Sequence, residues 1–335
     1  MKKLTGIIAL GLALVLIISL SPVSAGPALF TGKDKNGVEF KPFIFMPVAK
    51  YMPHSSTGQR QVEGHHQYHM TNNTGKTQKF TAEVEYCGPV DRDYWAIVQF
   101  CFSDACYIDV GTTGAEIKAG VNETMTFQFG PPNKTKDAKF GTFATSKVTL
   151  YPKDDKSISD EIYMAAVHIP FTQITLPIDD TTMTLEKCPE WDPMNRNKAK
   201  RYPLVKSTKT LDQPATIVNN RTYIPLRALA EEMYSEVGWE ASTRTASFTI
   251  GDSNSYFKMA LQIDNPVATT TLKTCDGKVL TKKVTMPAPA IIQNGRTVVP
   301  VRSLGETLMG GEITWEEYQS RTVMLYLPGR LPEDH

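Results

Sequence analysis

Apolar and polar side chains alternate most regularly in Thr124-Met125-Thr126-Phe127-Gln128-Phe129. A period of two sends one set of side chains to a core and the other outward, which predicts a half-buried β-strand. Residues 80–86, 94–102, 142–151 and 162–169 read the same way. Between them stand turn formers: Asn72-Asn73-Thr74-Gly75, Gly88-Pro89, Gly130-Pro131-Pro132-Asn133 and Lys153-Asp154-Asp155-Lys156. About seven strands without a helical period predict an antiparallel β-sandwich of immunoglobulin-like size over residues 26–170, although the Cys, Trp, Cys framework of true immunoglobulin domains is missing.

The pattern then changes and repeats. Asn219-Asn220-Arg221-Thr222-Tyr223-Ile224-Pro225-Leu226-Arg227-Ala228-Leu229-Ala230-Glu231, with Trp239-Glu240 and Arg244-Thr245 after it, returns 75 residues on. The second copy reads Asn294-Gly295-Arg296-Thr297-Val298-Val299-Pro300-Val301-Arg302-Ser303-Leu304-Gly305-Glu306, then Trp315-Glu316 and Arg321-Thr322. A series recurring in that order marks a duplicated unit. Pro225 and Pro300 suit a first helical position. Leu226, Leu229, Ala230 and Met233 share one helix face, as do Val301, Leu304 and Leu308, and Gly310 suits a left-handed helix end. Arg227–Glu231 and Arg302–Glu306 are i,i+4 pairs, worth ~0.2–0.5 kcal/mol when exposed, so their recurrence suggests partial burial or a contact with the sheet. Trp239 and Trp315 open the following strand and are expected to cap each helix against the sheet. Replacing either with Ala should then cost ~3–5 kcal/mol and leave the N-terminal sandwich folded.

Upstream, Met259-Ala260-Leu261-Gln262-Ile263 answers Met183-Thr184-Leu185, and residues 284–292 answer 210–218. Each unit reads as strand, strand, Pro-led helix, strand. This gives an α+β domain over 171–330, with repeats at about 181–250 and 257–327. The paired Asn-x-Arg-Thr-x-x-Pro-x-Arg segments, each followed by Trp-Glu, resemble the copper amine oxidase N-terminal-like, or stalk, domain, which is common in secreted and surface proteins of Firmicutes. The resemblance implies a structural domain at a Gram-positive cell surface, with no cofactor and no catalytic role. The catalytic part of the oxidases has an Asn-Tyr-Asp/Glu motif and three copper-binding histidines. Here no Asn-Tyr dipeptide occurs, and beyond His168 the only histidine is His335. Residues 188–201 replace a short hairpin of the family pattern.

At 335 residues the chain is long enough for two cores. Its 36 basic and 35 acidic residues nearly cancel, so no chain-wide field draws nucleic acid or anionic lipid. Residues 1–25 read as a secretory signal: Lys2 and Lys3, an apolar run over 7–20, and Val23-Ser24-Ala25 as cleavage site. An uncleaved anchor is the competing reading, against which Pro22 and the small-residue site count. After cleavage near Gly26 no membrane span is expected. In an oxidising compartment the five cysteines are disulfide candidates. Cys101 and Cys106 suit a bridge across a hairpin, Cys188 and Cys275 suit a second, and Cys87 is left over.

His65 and His69 share a face if residues 64–70 form a strand, a weak metal candidate with no acid or Cys to complete a shell. Asp154-Asp155 and Asp179-Asp180 read as solvated turns. Nucleophile and phosphate-loop motifs are absent. Trp191, Tyr202, Tyr223 and Tyr318 are candidates for a carbohydrate-stacking face. The function expected is that of a non-catalytic exported envelope binding or scaffold protein, its stalk-like domain presenting or docking the β-sandwich, with cell-wall polysaccharide or another surface protein as partner. The alternative is a secreted metal-dependent enzyme with a site near His65 and His69.

Overall fold

A run apolar at every position, such as residues 162–167, fits a strand covered on both faces rather than one, and this is how the centre of the molecule is built. A computed structural model of the chain describes residues 29–31, 41–54, 58–62, 64–87, 99–102, 105–108, 115–129, 140–188, 204–308, 312–316 and 321–327. The signal segment, Trp191, Tyr202, Gly310, Tyr318 and the 189–203 stretch lie outside these residues. The N-terminal strands are β1 (Phe30–Thr31), β2 (Phe43–His54), β3 (Gly58–Val62), β4 (Gly64–Thr71), β5 (Gln78–Cys87), β6 (Gln99–Phe102), β7 (Ala105–Ile108), β8 (Ala115–Ile117), β9 (Asn122–Phe129), β10 (Phe143–Pro152) and β11 (Asp160–His168). They form two sheets, ordered β1-β4-β9-β6-β7 and β3-β2-β11-β10-β5-β8. The second is mixed, because β2 and β11 run parallel from Tyr163↔Phe43 to His168↔Val48. That departs from the purely antiparallel expectation.

The C-terminal half is likewise mostly strand. It comprises β12 (Thr172–Pro177), β13 (Thr182–Lys187), β14 (Val205–Thr210), β15 (Thr216–Val218), β16 (Arg221–Pro225), helix α1 (Leu226–Glu232), β17 (Glu236–Glu240), β18 (Thr245–Gly251), β19 (Tyr256–Gln262), β20 (Val267–Lys273), β21 (Val279–Thr285), β22 (Ile291–Gln293), β23 (Arg296–Pro300), a π-helical stretch Ser303–Leu308, β24 (Glu312–Glu316) and β25 (Thr322–Leu327). The strands form two five-stranded sheets, β14-β13-β12-β25-β24 and β17-β18-β19-β20-β21, and a four-stranded one, β15-β16-β23-β22, through which the chain passes each time it goes from one five-stranded sheet to the other. Each five-stranded sheet joins three strands from the start of one unit to two from the end of the other. In the middle sheet Ile224 faces Val299, its repeat equivalent, with Tyr223↔Pro300 and Pro225↔Val298 on either side. A pseudo-two-fold axis therefore passes between Ile224 and Val299.

Backbone bonds repeat with this symmetry. Ile178 N–H donates to Arg321 O and Ile263 N–H to Arg244 O, both at 3.0 Å, while Asp179 and Asp264 donate to Ala215 O and Ala290 O at 2.8 and 2.9 Å. The pairing aligns Met259, opposite Phe248, with Ile174, opposite Leu325. The sequence match of Met259 to Met183 is thus one strand out, since Met183 lies on β13.

The two halves share a core. On β2, Phe43 and Phe45 turn one way and Ile44, Met46 and Val48 the other. The phenylalanine face joins Phe143, Tyr163, Ala165 and Val167 against Phe248, Phe257 and Leu272 of the C-terminal half in one buried cluster. Phe45 stacks on Phe257 with centroids 4.1 Å apart, and Phe43 meets the same ring edge-on at 6.3 Å. At the rim, Lys278 donates to the Tyr163 hydroxyl at 2.6 Å and Lys282 to Phe43 O at 2.8 Å. The expectation of independent cores holds only in part: Ile44, Met46, Val48, Phe80 and Leu150 fill a cluster within the N-terminal half, while the opposite face of the same sheet shares its core with the C-terminal half.

Candidate functional site

The repeated Asn-x-Arg-Thr is a hairpin turn. Val218 pairs with Arg221 across Asn219 and Asn220, whose φ values of 49° and 59° are both left-handed. Gln293 pairs with Arg296 across Asn294 and Gly295, at 47° and 75°. Two consecutive left-handed residues define the tight hairpin turn for which Asn and Gly are chosen. The later Arg-Thr is also a turn signature: Arg244 and Arg321 have φ of 51° and 46°. Their guanidiniums lie 3.3 Å from Asp264 and 3.6 Å from Asp179. Exposed ion pairs of this kind contribute ~0–1 kcal/mol, so the repeat preserves backbone geometry more than charge.

Beside the first hairpin opens a cleft of about 910 Å³, lined by Asn219, Asn220, Arg221 and Thr222 of one unit and by Arg302 and Ser303 of the other, over an apolar floor that includes Ile217, Pro287 and Val301. Among the described residues no carboxylate lines it. Symmetry places a sister site at the second hairpin, and there the charge is answered internally: Arg296 Nε donates to Asp212 at 2.5 Å. Asp212 corresponds to Pro287, since Leu211 N–H bonds Thr181 O just as Met286 N–H bonds Pro266 O. The sequence reading took these residues as scaffold. Comparing positions 212 and 287 at the 75-residue offset would have exposed the difference.

Behind α1 lies a feature the sequence reading missed. Glu232, 1% exposed, has Lys187 of β13 2.5 Å from one carboxylate oxygen and accepts from Lys209 of β14 at 2.6 Å on the other. Burial pulls the Lys209 ammonium down, but its bond to Glu232 and the charges of Glu232 and Glu231 outweigh this and leave it above the usual lysine value. The Arg227–Glu231 pair does not form: Arg227 is exposed, and Glu231 lies 3.6 Å from Lys209. Glu306 lies within the π-helical stretch, its side chain outside the described residues.

Other singled-out residues fall as follows. Pro225 and Pro300 end strands β16 and β23 instead of starting helices. Pro225, at φ −57° and ψ 128°, is the extended residue just before α1. Leu226, Leu229, Ala230 and Met233 are buried. Trp239 is 51% exposed on β17 and caps nothing. Trp239→Ala is therefore expected to cost less than ~1 kcal/mol, checked by urea denaturation. The side chain of Trp315, on β24, is outside the described residues. Tyr223 is buried and donates to Pro289 O at 3.3 Å, which removes it from any sugar-stacking face. His65 and His69 lie four residues apart on β4, opposite Gln128 and Thr124, their side chains outside the described residues. Among the described residues no group of three or more His, Cys, Asp or Glu gathers to hold a metal, and no helix is long and apolar enough to cross a membrane.

The cysteines rearrange. Cys188 is a free, buried thiol packed with Phe171, Ala49 and Tyr326, and burial pushes its pKa up to about 11. The Cys188–Cys275 bridge therefore does not form. Cys275 is disulfide-bonded. The side chains of Cys87, Cys101 and Cys106, all in the N-terminal half, lie outside the described residues. Cys101 and Cys106 face each other in the β6–β7 pair. Alkylation of native protein is expected to spare Cys188, and non-reducing peptide mapping to join Cys275 to a peptide preceding residue 170. A Cys188–Cys275 peptide would contradict this.

Residues 165–248 and 203–325 match the model of the family described as Copper amine oxidase N-terminal domain. In the oxidases that domain is a non-catalytic stalk. No curated protein matches the chain. Among solved structures, the secreted serine protease VesC from Vibrio cholerae is 11% identical, covering 84% of this chain and 49% of its own, at a TM-score of 0.20. The chain thus spans about half the length of that protein. The C-terminal domain of the Streptococcus agalactiae AgI/II polypeptide BspA is 9% identical, with coverages of 90% and 83% and a TM-score of 0.19. A DUF4466 family protein from Parabacteroides merdae is 10% identical, with coverages of 79% and 91% and a TM-score of 0.17.

Proposed function

We propose that this chain is an exported, non-catalytic binding or scaffold protein of a Gram-positive cell envelope. An immunoglobulin-like sandwich over residues 26–170 is presented or docked by a stalk-like domain over 171–330. The observation that carries the reading is where the duplicated residues go. Asn219, Asn294, Arg244 and Arg321 serve turns, Pro225 and Pro300 end strands, and Leu226, Leu229, Val301 and Leu304 fill the core. A domain whose repeated residues serve its own packing supports a structural role, as does its match to a stalk domain. The signal-like residues 1–25 support export.

The partner is cell-wall polysaccharide or another surface protein. Purified protein should be retained on isolated wall polysaccharide or on a surface-protein fraction, without bound zinc, copper or calcium. Stoichiometric metal that disappears in His65→Ala/His69→Ala would instead establish the metal-dependent enzyme.

A further inference from the structure

We infer that the cleft between Arg221 and Arg302 binds an anionic group, a phosphate or a carboxylate, carried on a saccharide chain. The duplication supplies an internal control. Both units place an arginine at the start of the strand returning from a left-handed turn, and one is neutralised in place: Arg296 meets Asp212. At the equivalent of Asp212 the other unit has Pro287, so Arg221, exposed beside the cleft, meets no carboxylate among the described residues. Arg302 adds a second guanidinium to the wall while keeping an interaction of its own. A guanidinium offers a planar fork of donors matched to the paired oxygens of carboxylate or phosphate.

The remaining lining fixes the rest of the chemistry. Asn219, Asn220 and Thr222 present amides and a hydroxyl that donate and accept, as sugar hydroxyls require, with Ser303 buried behind them. Ile217 and Pro287 give an exposed apolar floor for a ring face, backed by the buried Pro300, Val301 and Val323. The sister site lacks part of this set, with Gly295 for Asn220 and Ala228 for Ser303. A volume near 910 Å³ is at the upper end of small-molecule sites, more room than a lone inorganic anion needs. The inference rests on the proposed envelope role for the saccharide carrier and on the cleft itself for the charge.

The test uses the purified protein with three probes: dextran phosphate, polygalacturonate and neutral dextran. Binding to one or both acidic polymers, weakened by salt and absent for dextran, is expected, and the stronger of the two identifies the anion. Arg221→Gln should weaken it about tenfold, the scale of one charge-assisted hydrogen bond. Pro287→Asp, which installs the carboxylate of the sister site, should do the same. Arg296→Gln should leave affinity within about twofold. Equal loss in Arg221→Gln and Arg296→Gln, equal binding of dextran, or no binding to either acidic polymer overturns the assignment. Retention on wall polysaccharide that survives Arg221→Gln overturns the cleft alone and leaves the envelope-binding reading standing.

Discussion

Phe257→Ala is expected to destabilise the whole protein by ~3–5 kcal/mol, the cost of truncating a fully enclosed aromatic. Its ring is 2% exposed and touches both halves, stacked on Phe45, edge-on to Phe43 and tilted against Phe248 at 6.3 Å. Removing it opens a cavity that neither half can close alone. The loss should therefore spread across the junction. Hydrogen exchange resolved by peptide is the suitable readout, because it reports β2, β10 and β11 separately from β18 and β19. Protection should fall together in both groups. If the N-terminal strands keep theirs while β18 and β19 lose theirs, the shared core is not the unit of cooperativity.

Converting Lys187 and Lys209 together to Met should cost a similar ~3–5 kcal/mol, because it leaves a buried carboxylate without its cations. Glu232 is enclosed, whereas the lysines are 30% and 42% exposed and reach it along their stems. Most of the penalty thus belongs to the glutamate. Adding Glu232→Gln to the double variant should restore much of the stability, and denaturant midpoints across the three proteins decide the point. A triple variant no more stable than the double would place the cost in lost packing. The alkaline limb follows from the same group. A lysine held above its ordinary 10.5 stabilises the fold fully below that value, and the gain disappears as pH rises through the higher folded pKa. Wild-type stability should fall on that limb, and the fall attributable to this site should be missing in Lys209→Met.

What the sequence revealed depended on whether a residue's role is local. Left-handed turns were legible as Asn-x-Arg-Thr because the constraint lies in two adjacent φ angles. The strands at 124–129 and 162–169 were legible from their apolar spacing and appear as β9 and β11. Trp239 was misread because size alone suggests burial, while exposure depends on which edge of which sheet a strand occupies. Glu232 was invisible for a related reason: its cations come from β13 and β14, more than twenty residues away in the chain. Cys188 is a free thiol instead of the partner of Cys275 because the neighbours of a cysteine, here Ala49 and Tyr326, are long-range facts. The cleft stayed hidden while the two copies were read for what they share; its character comes from position 287, where they differ.

The crossed parentage of the two five-stranded sheets reaches back to the molecule's origin. A polypeptide holding one copy would own three strands of one sheet and two of another, each ending on an unsatisfied edge. Two such polypeptides would complete one another about the line between Ile224 and its counterpart, so a lone copy is most naturally a swapped homodimer. Fusing the copies end to end turns that encounter into a tethered one, independent of dilution, and frees each copy to drift. Positions 212 and 287 are where that freedom shows: one arginine has an acid beside it and the other a proline.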